Sequence, residues 1–134
     1  MAFERPPSFV AACLAAAGGH ILASFLVGLV MVPLALAAWS GIVFSGDPSA
    51  ASLGLVLPWV LVLAAQPFVA AWIARRGLDL CDAGNVTYAR ALGAMALGLV
   101  VTALAGFVVP AEAALPVLGH AWTGALAAAL ILAR

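Results

Sequence analysis

Apolar residues run along this chain in four long stretches, and most polar residues gather in the short breaks between them. The stretches cover about 9–44, 53–73, 88–109 and 113–133; the breaks read SGDPSAAS, RRGLDLCDAGNVT and PAE. A helix that crosses the hydrocarbon core of a bilayer needs about 20 apolar residues, and each stretch is long enough. Turn formers and charges mark the breaks, and backbone in lipid must satisfy its hydrogen bonds within helices. The pattern predicts an all-α integral membrane protein, a four-transmembrane-helix bundle forming one domain over residues 1–134.

The first stretch is too long for one upright crossing, because about 31 residues of helix measure roughly 46 Å against a core near 30 Å. Either the run breaks at Gly18–Gly19 and leaves residues 8–17 interfacial or re-entrant, or it is one long tilted helix kinked at Pro33. His20 then lies at the membrane surface in the first case and inside the bundle in the second. A faint two-plus-two repeat favours the long helix: SFVAACLAAAGG reads against TYARALGAMALG, and LPWVLVLAAQPFVAAWIARR against LPVLGHAWTGALAAALILAR.

Orientation follows from arginine placement, since cytoplasmic loops are enriched in basic residues. Arg5, Arg75, Arg76, Arg90 and Arg134 fall on one side if both termini are cytoplasmic, while the outer breaks hold only Asp47 and Glu112. Arg75, Arg76 and Arg90 are expected to anchor at lipid headgroups, with Asp79 and Asp82 pairing with the first two and Asn85 or Thr87 capping the next helix. Trp39 and Trp72 suit the aromatic belts at the two membrane surfaces.

Composition fits lipid as the solvent. The chain is 67% hydrophobic and only 7% charged, against about 25% charged in soluble proteins. Net charge is zero and lysine is absent, which argues against a nucleic-acid partner. Cys13 and Cys81 make no disulfide framework and are expected to be reduced. The opening MAFERPP, followed by so long an apolar run, does not read as a cleaved signal peptide. Richness in Ala and Gly without Lys suggests a GC-rich genome, and the expected location is a bacterial inner (plasma) membrane.

Three constellations carry the candidate chemistry. Ala94, Gly98, Thr102 and Gly106 recur every fourth residue and form a stripe of small side chains, which lets helices approach closely within the chain or between copies. His20, Ser24 and Gly28 share one helix face, as do His120, Gly124 and Ala128. The two histidines could ligate haem or contact a quinone, or could be hydrogen-bonded packing groups. Gln66, beside Pro67, and Ser24 could line a path for a neutral solute. Asp79, Cys81, Asp82 and His20 match no established metal-ligand spacing, so no metal site is expected.

No acidic or basic residue lies in the middle of any stretch, which disfavours an ion-coupled carrier. No nucleophile elbow, zinc-protease motif or phosphate loop is present, so no enzyme is expected. The leading expectation is a non-catalytic subunit or scaffold that associates through small-residue faces with copies of itself or with a larger membrane complex. The alternatives are a haem- or quinone-binding anchor and a small oligomeric transporter or channel for a neutral solute.

Overall fold

The structure, a computed structural model, describes residues 5–108 and 116–134. It is all-helical, 85% helix, with no strand among those residues. Four helices follow one another: α1 Phe9–Ser45, α2 Pro48–Leu80, α3 Tyr88–Val108 and α4 Pro116–Leu132. The first three are long and apolar enough to cross a membrane. At 17 residues, α4 measures only about 25 Å. The expected beginning of the fourth span, at 113, lies outside the described residues.

The helix ends follow local hydrogen bonding more closely than polarity. Ser8 caps α1: its hydroxyl accepts the Ala11 amide at 3.2 Å and its carbonyl the Ala12 amide at 2.9 Å. From there α1 runs unbroken through Gly18, Gly19 and Pro33 for 37 residues. The break at Gly18–Gly19 is therefore not made, and the long helix is the form adopted. Packing explains why: a Cβ on Gly19 would stand 2.8 Å from the Ala70 carbonyl oxygen, so this glycine is where α1 presses against α2.

The second stretch was expected to end near 73, but α2 continues to Leu80, past Arg75 and Arg76. Its stop is a Schellman motif, in which Asp82 takes the left-handed conformation (φ 50°) and donates to the Asp79 carbonyl, while Ala83 donates to Leu78. The α2–α3 loop is clasped by the N-terminal segment. Asn85 donates its amide to the Arg5 carbonyl at 2.8 Å, and the Arg5 guanidinium pairs with the Asp82 carboxylate at 2.7 Å. Asp82 thus pairs with Arg5, not with Arg75 or Arg76 as its nearness in sequence suggests.

α1 packs along α2 and α4, and α3 along the same two, so α1 and α3 face each other across a ring of four. The interior is alanine: Ala16, Ala23, Ala71, Ala94 and Ala128 are fully buried, joined by Met95 and Leu132. Large apolar side chains such as Leu14, Phe25, Leu36, Trp72 and Leu104 face outward. In water that arrangement would waste the hydrophobic effect. In lipid it costs nothing, and the small interior lets backbones approach.

Candidate functional site

One close approach in the bundle joins α3 to α4. A Cβ on Gly98 would stand 2.8 Å from the Gly124 carbonyl oxygen and 3.3 Å from the Ala128 Cβ, and one on Gly124 would overlap the Thr102 hydroxyl. Thr102 turns that hydroxyl back onto its own helix, donating to the Gly98 carbonyl at 2.9 Å. The small-residue stripe is therefore occupied within the chain at Gly98 and Thr102, while Ala94 is fully buried. Gly106 continues the stripe in α3, and its surroundings lie outside the described residues.

Gly98 has a second neighbour. Its missing side chain leaves room for the His20 imidazole, which reaches across from α1 so that Nε2 would stand 3.0 Å from a Cβ there. That nitrogen is buried and has no hydrogen-bond partner among the described residues. Leaving a buried polar atom unpaired costs about 1–3 kcal/mol, so the position is not one that packing alone selects.

One turn further along α1, Ser24 meets α2. The Gln66 side-chain amide donates to the Ser24 hydroxyl oxygen at 2.8 Å. Two residues that the sequence offered as lining one path are thus one hydrogen-bonded pair. Ser24 also ends an open groove of about 430 Å³, whose described lining continues along α1 as Phe25, Gly28, Leu29, Val32 and Pro33. Gly28 is its floor: a Cβ there would meet nothing within 4 Å, in contrast to those on Gly19 and Gly98. Gly28, Phe25 and Leu29 were not singled out as a groove by the sequence; the one available signal was the fourth-residue spacing of Ser24 and Gly28.

The site is polar without charge. Arg75 lies nine residues from Gln66 along α2, about 14 Å. Arg90 is eight residues from Gly98 along α3, about 12 Å. Arg90 donates its Nε–H to the Ile131 carbonyl at 2.9 Å and so caps the last turn of α4. Arg76 is exposed and Arg75 half-buried, beside the exposed Trp72.

No family model, curated protein or solved structure matches this chain. The site must be read from its own chemistry. His120, whose side chain lies outside the described residues, stands in α4 four residues before Gly124, the residue packed on Gly98. That displaces its backbone about 6 Å along the axis. Among the described residues no three of His, Cys, Asp and Glu come together as metal ligands would.

Proposed function

We propose that this chain is a four-span protein of a bacterial inner membrane, with both termini cytoplasmic, and that it binds a small amphipathic molecule from within the bilayer. The observation that supports this is the position of Ser24. It accepts the Gln66 amide and is at the same time the polar end of an apolar groove. A few convergent polar groups in a largely apolar recess are what small-molecule sites consist of, and polar side chains inside a membrane tend to mark binding or transport.

Association through the small face of α3 draws less support, because Gly98 and Thr102 are already packed against α4 within the chain. A transport role uses the same residues and begins with the same binding step.

The test is retention of a ligand. Native mass spectrometry of the detergent-purified chain should show one small molecule from the membrane per copy. Gly28→Leu should lose it, since a leucine there enters open space and fills the groove without disturbing the helix contacts. Equal retention by Gly28→Leu, or a bare chain in both samples, would remove this reading.

A further inference from the structure

Depth and charge together narrow what the groove can hold. The Gln66–Ser24 pair lies about 14 Å along α2 from the Arg75 level, close to half of a 30 Å hydrocarbon core. Phospholipids and fatty acids keep their charged ends at the surface, because a charge at mid-membrane is costly. An anionic or cationic head at this site would also lack a counter-charge, since no acidic or basic residue lies near Ser24 or Gln66 along α1 or α2. The ligand's polar group must therefore be neutral and able to reside at mid-bilayer.

Hydrogen-bond capacity narrows it further. The Ser24 oxygen already accepts from Gln66, which leaves the serine proton to donate, and the Gln66 amide keeps a second N–H. The natural complement of two donors is an acceptor oxygen with no proton of its own, a carbonyl. The groove, about 430 Å³ and open along its side, admits a ring-sized head and lets a tail continue into lipid.

We infer that the ligand is a neutral, carbonyl-headed lipid of the quinone class, its carbonyl oxygen accepting from Ser24 and Gln66 and its ring lying over Gly28. This rests on the binding reading above and adds the identity of the head group.

The probe is a benzoquinone bearing a ten-carbon tail, added to the whole chain in lipid nanodiscs, with the ten-carbon alcohol and the ten-carbon fatty acid as comparison ligands. The quinone should bind saturably with its carbonyl stretch shifted to lower wavenumber, and the alcohol and acid should bind at least tenfold more weakly. Ser24→Ala should weaken quinone binding about tenfold, as expected for one of the two hydrogen bonds, and make the shift smaller. Ser24→Thr, which keeps the hydroxyl, should restore both. Circular dichroism matching wild type holds the fold constant across variants. If the alcohol or the acid displaces the quinone at equal concentration, or the quinone does not bind, the head-group assignment is overturned, while a membrane ligand held by wild type and lost by Gly28→Leu keeps the groove. If the quinone binds Gly28→Leu as well as wild type, both readings fall.

Discussion

Glycines on two helices of one bundle can serve opposite ends, and the difference is measurable. Gly98 is there so that something else can be close: the Gly124 carbonyl, the Ala128 methyl and the His20 ring all crowd it. Gly28 is there so that nothing is close. Leucine at 98 must push α3 off α4, an overpacking that costs about 1–3 kcal/mol or more. A Cβ at 28 meets no atom within 4 Å. Thermal unfolding in detergent, followed by circular dichroism, should therefore show a clear loss of stability for Gly98→Leu and near-wild-type behaviour for Gly28→Leu. A Gly98→Leu chain as stable as wild type but altered in oligomeric state would place the α3 stripe at an interface between copies instead.

At the level of elements, the N-terminal clasp decides where α1 begins relative to the α2–α3 loop. Its ion pair, Arg5 with Asp82, is largely solvent-exposed, and such pairs are worth about 0–1 kcal/mol. The steric fit at Gly84 matters more. Its φ of 155°, and the Pro7 backbone and Arg5 carbonyl that a Cβ there would meet within 2.9 Å, exclude a side chain. Gly84→Ala should open the clasp at a cost of about 1–3 kcal/mol, whereas Asp82→Ala should leave it closed. Hydrogen exchange at the Asn85 amide, which bonds to Arg5, reads the difference directly. Fast exchange in both variants, or in neither, would show that sterics do not dominate. The same loop explains why α2 overran its expected end. A helix stops where its last carbonyls find partners, and the Schellman turn at Asp82 supplies them, so α2 ends at Leu80, seven residues after the apolar pattern fades.

For the whole molecule, the placement of small residues inside and large ones outside reverses the order of a soluble core and suits a bilayer. The proposed orientation puts the α2–α3 loop in the cytoplasm, where Cys81 is exposed, while Cys13 sits half-buried in α1. A membrane-impermeant maleimide should thus leave intact spheroplasts unlabelled and label Cys81, but not Cys13, once the membrane is opened. Labelling of Cys81 in intact spheroplasts would invert the topology.

Apolar length and the position of charges were enough to read the helical class and the existence of four helices, because these depend on hydropathy summed over many residues. The third helix matched almost to the residue, since Thr87 and the polar loop before it coincide with its true start. Whether Gly18–Gly19 broke α1, which arginine met Asp82, and whether the α3 stripe faced α4 were decided only by tertiary contacts. Each depends on what lies across from a residue, and periodicity along one helix carries no record of its neighbour. Ser24 and Gln66, 42 positions apart, were offered together on polarity alone; only the packing of α1 on α2 made them a hydrogen-bonded pair beside a groove.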